Sequence, residues 1–402
     1  ILLFGINYSP ELTGIGKYSG EMGPWLAANG HDVKVITAPP YYPEWRLHNN
    51  YWSYRYAREE LAGVRILRCP LYVSRNLSTL KRLLHLISFA VSSFLPVIAQ
   101  IFWPPRLVVQ VVPTLFCSLQ TLLLGWLTGA KTVLHIQDYE VDALFGLGMG
   151  KHGWSKRVAF GLERFLLKRF DYVSTISEGM MKRAEEKGVA RERLVFFPNW
   201  SEVDRFQDAL RSEELLSGLG IDPAKKTILY SGNLGEKQGL EYMVEAAEQL
   251  QHNTGIQFLI VGDGAVRERL VEMVESKRLS NFYFAPLQPY ESLPTLLASA
   301  DVHLVIQKRG AADAVLPSKL TNILAVGGQS VITADLYTTL GYLCCEYPGI
   351  AECVEPESVG ALIEGITRAL EKPAKNKIAL NYAQQHLDKD AILSAFISNF
   401  DS

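Results

Sequence analysis

The amino-acid sequence predicts an α/β protein made of two doubly wound parallel-sheet domains that face each other across a cleft. Three observations lead to this fold class. The chain has 402 residues, which is more than one ordinary domain core needs. Short apolar runs rich in β-branched residues alternate with amphipathic helical stretches. This alternation restarts after a polar connection in the middle of the chain.

Each apolar run has the length of a strand that is buried on both faces, as in parallel sheets covered by helices. The first group of predicted strands comprises residues 1–6, 33–37, 64–68, 107–112, 131–137, 171–176 and 193–197. The second group comprises residues 227–231, 256–261, 281–285, 302–306, 329–333 and 350–354. Helical periodicity fills the gaps, for example over residues 239–251 and 265–278.

The polar connection sets the predicted domain limits. Residues 200–226 contain no strong apolar run and separate the two groups of strands. We therefore predict a first domain over residues 1–200 and a second domain over residues 201–375. A helical segment over residues 376–402 is expected to pack back toward the first domain.

Composition excludes several classes of function. A formal net charge of -2 gives no basic field, so nucleic acid is not an expected partner. Five cysteines without C-x-x-C spacing favour reduced thiols in the cytoplasm over a disulfide framework. The apolar opening ILLFGINY is too short and too uncharged for a signal peptide, and it is predicted to be a buried strand.

One stretch raises the question of a membrane. Residues 83–103 are apolar over a length that could span a bilayer, and Arg75, Lys81 and Arg82 precede them. The stretch also contains His85, three serines, a proline and a glutamine, which a lone spanning helix rarely combines. A surface helix with an apolar outer face is favoured over a true span, and a plain core helix is the third alternative.

In doubly wound sheets, ligands bind where the carboxyl ends of strands lead into helices. After the first strand, Gly14 and Gly16 allow the backbone to approach a ligand, and Lys17 stands at a helix start. Taken alone, glycines at this spacing more often form a simple turn. The full G-x-G-x-x-G pattern is missing, so a nicotinamide site is not supported.

The strand over residues 131–137 ends in another candidate group. Asp138 lies at its carboxyl end, where a carboxylate can orient or deprotonate a substrate hydroxyl. His135 lies three residues earlier and could act as an acid or base, although a hydrogen-bonded core histidine is an equal alternative.

The second domain repeats the glycine loops. The segment SGNLGEKQG places Gly232 and Lys237 ahead of a helix. A phosphate-binding loop is favoured here over the alternative, a solvated lysine beside a glycine that ends a helix. The segment VGDG adds Gly262 and Asp263, and this aspartate could bind a base or a ribose.

A third loop in this domain, DAVLPSKL, leads into a helix predicted over residues 317–326. Ser318 has a side chain typical of an N-cap, and Lys319 adds a positive charge. Two lysines and two helix starts could neutralise a diphosphate without a metal ion. The sequence also contains no metal-ligand motif, so no cofactor is expected.

An aromatic stretch over residues 41–56 has seven rings in the loop that follows the strand over residues 33–37. Such rings could stack on a sugar, lie at a lipid headgroup surface or simply cover the edge of the domain.

Taken together, these motifs resemble those of retaining, nucleotide-sugar-dependent glycosyltransferases with the two-Rossmann GT-B fold. The resemblance covers nearly the whole chain: "G-H-x-V" and "P-N-G-V-D-x-x-F" match residues 30–33 and 198–206, with Trp200-Ser201 in place of the glycine. The segments YSGNLGEKQG and LIVGDG resemble the family's strand and loop "G-R-L-x-x-x-K-G" and its partner. A "Y-P-x-W" loop and "L-P-S-K-L" narrow the resemblance to bacterial surface-polysaccharide enzymes.

The resemblance implies roles for individual residues. Donor-phosphate positions fall on Gly16, Lys237, Ser318 and Lys319, and the nucleoside falls near Asp263 and Asn322. The acceptor is expected at His135 or Asp138. The other donor-side residues that we expect from these loops are Gly14, Lys17, Gly232, Asn233 and Gly262.

The sequence departs from the family pattern at two places. The arginine of "G-R-L" is Asn233 here, and the family's two glutamates fall at Ala314 and Asn322. Asp313 is the candidate to replace the first glutamate, and the Pro-Ser-Lys helix start is expected to take part in donor binding.

The function implied by the resemblance is retaining transfer of a sugar, such as fucose from GDP-fucose, to a lipid-linked oligosaccharide in colanic acid-type exopolysaccharide synthesis. The enzyme is expected in the cytoplasm, peripherally associated with the inner face of the membrane. Two other classes stay open: a sugar-nucleotide 2-epimerase-like isomerase of the same fold, and a non-catalytic partner in polysaccharide assembly.

Overall fold

The computed structural model describes residues 1–11, 14–75, 78–139, 141, 153–309 and 317–400. The chain forms two compact units. The first comprises Ile1–Pro198 and Leu393–Ser402, and the second comprises Asn199–Ile392. The segment expected over residues 376–402 is therefore divided between the two units.

The first unit contains an eight-stranded sheet in the order β3-β4-β2-β1-β5-β6-β7-β8, parallel except where β3 pairs with β4. Its strands are β1 Leu2–Gly5, β2 Lys34–Thr37, β3 Ala57–Leu61, β4 Val64–Arg68, β5 Leu107–Val112, β6 Lys131–Ile136, β7 Tyr172–Thr175 and β8 Leu194–Phe196. Its helices are α1 Gly14–Ala28, α2 Thr79–Ile98, α3 Ser118–Thr128, α4 Gly153–Leu167 and α5 Glu178–Glu186.

The second unit contains a six-stranded parallel sheet in the order β11-β10-β9-β12-β13-β14. Its strands are β9 Lys226–Ser231, β10 Ile256–Val261, β11 Phe282–Ala285, β12 Val302–Val305, β13 Ser330–Thr333 and β14 Glu352–Val354. Its helices are α6 Val203–Gln207, α7 Glu213–Gly218, α8 Glu241–Gln249, α9 Arg267–Ser276, α10 Leu293–Ala298, α11 Ser318–Ala325, α12 Thr339–Glu346, α13 Val359–Leu370 and α14 Lys377–His386. A last helix, α15, covers Lys389–Ser398.

The doubly wound α/β fold is confirmed, and every strand predicted from the sequence is present. The central strands are buried on both faces, as β5 and β10 show at every residue. Sequence reasoning missed β3, because this edge strand has the sequence AREEL and buries none of its residues fully.

The strand order determines where ligand loops can gather. In the first sheet, β1 lies between β2 and β5, and in the second sheet β9 lies between β10 and β12. The chain changes its direction of winding at β1 and at β9, and such switch points open a crevice at the carboxyl ends of the strands. The glycine loops predicted from the sequence follow β1, β9 and β10.

The apolar stretch over residues 83–103 forms most of α2 and a 3-10 turn over Ala99–Phe102. One side of α2 belongs to the hydrophobic core of the first unit through Phe89 and Val97, whereas Val91 and Leu95 on the other side are exposed. Residues Leu80–Phe102 are long and apolar enough to cross a membrane by length and composition. Because half of α2 is exposed, the interpretation as a plain core helix is wrong.

Candidate functional site

Lys319 lies at the glycine loop that follows β9. A Cβ atom placed on Gly232 would lie 3.5 Å from the Nζ atom of Lys319, at ordinary van der Waals distance. Gly232 has a φ of +144°, a backbone conformation that other residues rarely adopt. The start of α11 and the carboxyl end of β9 therefore meet around one half-buried ammonium group.

Tyr230 holds that ammonium group in place. The Lys319 Nζ donates a hydrogen bond of 2.7 Å to the Tyr230 hydroxyl and lies 3.9 Å from the centroid of its ring. The same hydroxyl donates a hydrogen bond of 2.8 Å to the carbonyl oxygen of Asn233. Burial lowers the pKa of Lys319 to about 7. Among the residues that the structure describes, no carboxylate forms an ion pair with Lys319.

The loops after β9 and β10 pack directly against each other. A Cβ atom on Gly262 would lie 2.0 Å from the carbonyl oxygen of Gly232, and one on Gly264 would lie 2.4 Å from that of Leu234. The Leu234 N–H donates a hydrogen bond of 2.9 Å to the carbonyl oxygen of Asp263. The glycines thus allow the two loops to pack closely. As a result, backbone N–H and C=O groups of both loops lie together at the switch point.

The helix start at α11 differs from the prediction. Pro317 is the N-cap residue and makes no side-chain cap, and Ser318 is already the first helical residue. The expectation that Ser318 caps the helix is therefore wrong, because the extended backbone of Pro317 moves the helix start by one position. The first turn still offers backbone N–H groups that lack intrahelical acceptors, and Ser318 itself is exposed.

Asn322 is held inside the second unit by a hydrogen bond. Its side chain is buried, and its Oδ1 accepts a hydrogen bond of 2.9 Å from the hydroxyl of Ser201. Asn322 and the serine that replaces the family's glycine thus form one internal contact within the second unit. This contact fixes the Asn322 side chain, and its place near the nucleoside stays a prediction.

Three other predicted residues of the second unit, Lys237, Asp263 and Asn233, have exposed side chains. Lys237 is exposed on a 3-10 turn, and its carbonyl oxygen accepts a hydrogen bond of 2.9 Å from the Lys308 N–H. Asp263 is exposed, and its Oδ1 accepts a hydrogen bond of 2.8 Å from the N–H of Gly264. Asn233 is exposed beside them. Asp313 lies outside the described residues.

The glycine loop of the first unit has a different internal organisation. A Cβ atom on Gly16 would lie 2.5 Å from the Oε2 atom of Glu11, so α1 begins directly against this side chain. Gly14 has a φ of +58° and starts α1. Lys17 is buried, and its Nζ lies 3.9 Å from a carboxylate oxygen of Glu21. Lys17 thus faces a carboxylate of its own helix, and its role at the donor stays a prediction.

Asp138 and His135 have contrasting environments at the end of β6. Asp138 is exposed. His135 is buried: its Nδ1 lies 3.0 Å from the Ser174 hydroxyl and its Nε2 lies 2.8 Å from the Gln137 amide nitrogen. Burial lowers the pKa of His135 to about 3, so the imidazole is neutral. These contacts favour the core-histidine alternative for His135, and Asp138 keeps its candidate role.

Besides Glu11, sequence reasoning missed two buried residues that organise these loops. Tyr230 is one, and its place directly before the glycine loop was the available signal. The other is Arg68, which is fully buried at the end of β4. Its Nη1 donates to the carbonyl oxygen of Ala38 at 2.9 Å and its Nη2 to that of Ser9 at 2.6 Å, which joins the loops after β1 and β2.

Two doubly wound domains, the second with glycine loops and a lysine at its switch point, are the architecture of the GT-B class. The family model of the glycosyl transferase 4-like domain matches residues 13–200, and that of glycosyl transferases group 1 matches residues 212–386. WcaI of Escherichia coli (strain K12), assigned as a colanic acid biosynthesis glycosyl transferase, is 58% identical over 99% of both chains. The chain belongs to this glycosyltransferase family.

Solved structures support the fold. Sucrose-phosphate synthase from Thermosynechococcus elongatus superimposes with a TM-score of 0.75 at 16% identity, over 99% of this chain and 98% of the other. HepE from Anabaena in complex with UDP-glucose superimposes with a TM-score of 0.67 at 14% identity, over 99% of both chains. At such low identities these similarities establish the GT-B architecture alone.

Proposed function

We propose that this glycosyltransferase moves a sugar from a nucleoside-diphosphate sugar to a lipid-linked glycan, with retention of configuration, in the synthesis of a colanic acid-type exopolysaccharide. The observation that carries the proposal is the Lys319 ammonium group at the meeting point of α11 and the β9 loop. The 58% identity to WcaI over the full chain supports the pathway.

Lys319 has the chemistry that a diphosphate leaving group requires. Negative charge grows on the leaving diphosphate as the glycosidic bond breaks, and donors fixed beforehand stabilise that charge most. Lys319 would supply the charge, and the first turn of α11 and the β9 loop would supply backbone N–H groups. Tyr230 would keep the ammonium group pointed at the phosphate. We assign this neutralisation to protein groups, and we expect transfer to continue in EDTA.

The donor that we propose is GDP-linked, with GDP-fucose as the first candidate. The exposed Asp263 and Asn233 at the same loops are candidates for donor contacts. A thermal-shift panel of UDP, GDP, ADP and their sugars tests this choice, because only a nucleotide that binds the native state raises its stability. A shift with UDP-sugars alone would replace GDP as the base.

On the acceptor side, we propose that Asp138 positions or deprotonates the acceptor hydroxyl. It is an exposed carboxylate at the carboxyl end of β6, which is where doubly wound sheets present functional groups. The buried His135 is left out of this step.

We further propose that the first unit rests on the inner face of the cytoplasmic membrane, where a lipid-linked acceptor would be found. Helices α2 and α3 pack together, partly through a hydrogen bond of 2.9 Å from Gln120 to Ser93. Their outer sides, with the 3-10 turns Ala99–Phe102 and Leu115–Cys117 beside them, form an apolar two-helix face: Leu80, Leu84, Ile87, Val91, Phe94, Leu95, Ile101, Phe102, Phe116, Leu119, Leu123, Trp126 and Leu127. An exposed apolar surface of this extent is typical of a membrane or protein contact.

The charge around the apolar two-helix face favours an anionic membrane over a protein partner. The sequence contains no Asp or Glu between Glu60 and Asp138, whereas Arg75, Lys81 and Arg82 occur at the beginning of α2 and just before it. Basic residues beside an apolar helical face bind anionic headgroups while the apolar side chains enter the lipid.

The decisive experiment measures release of free nucleoside diphosphate with and without acceptor. The acceptor is a lipid extract from a strain that lacks this chain and therefore accumulates the unused substrate. Release that depends on the extract supports the transferase. Conversion of the sugar nucleotide without extract would indicate the epimerase-like isomerase, and binding without any turnover would indicate an assembly partner.

A further inference from the structure

The buried carboxylate of Glu11 joins two loops at the carboxyl edge of the first sheet. Glu11 is 2% exposed, and its Oε1 accepts hydrogen bonds from the backbone N–H groups of Tyr41 at 2.9 Å and Tyr42 at 3.0 Å. Its Oε2 accepts a third hydrogen bond, of 2.9 Å, from the side-chain amide of Asn7. The loop after β1 is thereby fixed to the loop after β2.

This carboxylate is costly to bury. Burial raises the pKa of Glu11, and the N–H groups of Tyr41 and Tyr42 and the Asn7 amide oppose that rise. Hydrogen bonds to an ionised acceptor hold a backbone more firmly than neutral ones do. Gly16 packs against the same carboxylate, so the Glu11 side chain contacts the start of α1 as well as the loops after β1 and β2.

The two tyrosines held by Glu11 have opposite environments. Tyr41 is 4% exposed and packs against the rings of Trp45 and His85, at centroid distances of 5.4 Å and 4.6 Å. Tyr42 is 37% exposed, and a Cβ atom on Gly14 would lie 3.5 Å from its Cε1 atom. Tyr41 therefore anchors the loop in the unit, and Tyr42 is presented at the glycine loop.

Tyr42 and Asp138 lie at the same edge of the first sheet, because Tyr42 follows β2 and Asp138 follows β6, and both strands run parallel. Burial raises the pKa of the Tyr42 phenol, and the charges of Asp138 and Glu11 raise it further. An exposed aromatic ring and the candidate acceptor carboxylate thus belong to the same carboxyl edge, where doubly wound sheets bind ligands.

We infer that Tyr42 binds the acceptor sugar beside Asp138 and that Glu11 is the positioning residue that holds Tyr42 there. The inference rests on the proposed function, since it takes Asp138 as the acceptor side of the site. A tyrosine ring offers an apolar face to the ring of a pyranose and a hydroxyl to one of its oxygens, and it loses little conformational entropy on binding.

The test is the KM for acceptor of Tyr42→Ala, with Tyr54→Ala as the matched control. Tyr54 is an exposed tyrosine of the same aromatic stretch, at 75% exposure. The probes are the lipid extract described above and the nucleotide sugar that the wild type uses. Tyr42→Ala should raise the acceptor KM about tenfold or more, the usual loss when an aromatic contact is truncated. The donor Kd should stay unchanged, and Tyr42→Phe should recover most of the affinity.

Glu11→Gln separates positioning from folding. The amide oxygen can still accept from the two tyrosine N–H groups, but as a neutral acceptor, so we expect a smaller rise in acceptor KM with kcat retained. An unchanged acceptor KM in Tyr42→Ala, or an equal rise in Tyr54→Ala, overturns the inference and leaves the proposed function standing. A wild type that releases no nucleotide with the extract overturns both.

Discussion

The Lys319 ammonium group and the Tyr230 hydroxyl form a hydrogen bond of 2.7 Å that joins the first turn of α11 to the carboxyl end of β9. The tyrosine hydroxyl donates its own hydrogen bond to the Asn233 carbonyl oxygen, so it accepts the one from the lysine. This contact orients Lys319 without neutralising it. A charged group held in this way is available to an incoming anion, and several of its consequences can be measured.

Replacing Lys319 by alanine should remove the main charge that faces the donor diphosphate. We expect Lys319→Ala to lower turnover by about 10²-fold, the usual scale for one fixed group that stabilises developing charge. Nucleoside diphosphate binding should weaken by ~1–3 kcal/mol, the cost of losing a charged hydrogen bond. Calorimetry and the nucleotide-release assay measure the two effects.

The control for this variant is Lys225→Ala. Lys225 directly precedes β9 and therefore lies at the amino end of that strand, away from the glycine loops. Its loss should leave binding and turnover unchanged. Lys319→Arg should recover little activity, because a planar guanidinium does not fit the place of a compact ammonium group. Normal binding and turnover in Lys319→Ala would show that the diphosphate lies elsewhere.

Nucleoside diphosphate affinity should depend on pH around neutrality. Burial lowers the pKa of Lys319 from its ordinary 10.5 to about 7, so roughly half of the free protein is charged there at pH 7. A bound diphosphate raises this pKa, and binding above pH 7 must take up a proton. Affinity should therefore be highest below pH 7 and fall by up to tenfold per pH unit above it.

The same lysine should affect stability with the opposite sign. Because the native pKa lies below the unfolded value, the ligand-free protein gains stability as the pH rises from about 7 toward 10.5.

Lys319→Ala is the control for the pH dependence of affinity. The variant lacks the ammonium group, so its affinity for the nucleoside diphosphate should no longer fall in this way above pH 7. An identical pH profile in both proteins would assign the titration to another group.

Asp138→Asn should separate acceptor chemistry from donor binding. We expect turnover to fall by about 10²-fold or more, because an amide orients a hydroxyl but accepts its proton poorly. Donor affinity, measured by thermal shift with the nucleotide sugar, should barely change. His135→Asn provides the comparison: a core histidine should affect thermal stability rather than the pH dependence of turnover. Wild-type turnover in Asp138→Asn would remove this residue from the mechanism.

The fold could be predicted from the sequence because burial on both faces leaves a direct signature. Runs such as LVVQVV in β5 and IQFLIV in β10 are apolar except for one glutamine each, as strands of a covered parallel sheet typically are. The edge strand β3 carries no such signature, since its side chains face solvent. The N-cap at α11 was displaced for a local reason, because Pro317 occupies the extended position that precedes the helix.

The candidate site was predictable only in part. Glycine loops and lysines mark the carboxyl edge of a sheet, which is why Gly232 and Lys319 could be placed together before the structure was known. What each polar side chain contacts depends on residues distant in sequence. Asn322 is held by Ser201, which is 121 positions away, and Glu11 holds Tyr41 and Tyr42 across 30 or more residues. No local pattern encodes such pairs.

The apolar two-helix face should bind vesicles that contain anionic phospholipid. Its outer residues recur at helical spacing, and Leu95 and Trp126 are 74% and 80% exposed. The wild type should float with the vesicles at low salt and less at high salt, because basic residues near the surface each contribute about 1 kcal/mol that salt screens. The double variant Leu95→Asp/Trp126→Asp should stay soluble, since a carboxylate repels the headgroups and is costly to bury in lipid. Leu336→Asp changes an exposed leucine of the second unit and should float like the wild type. A wild type that remains in the soluble fraction at low salt would refute membrane docking, and the two-helix face would then have to be covered by another protein.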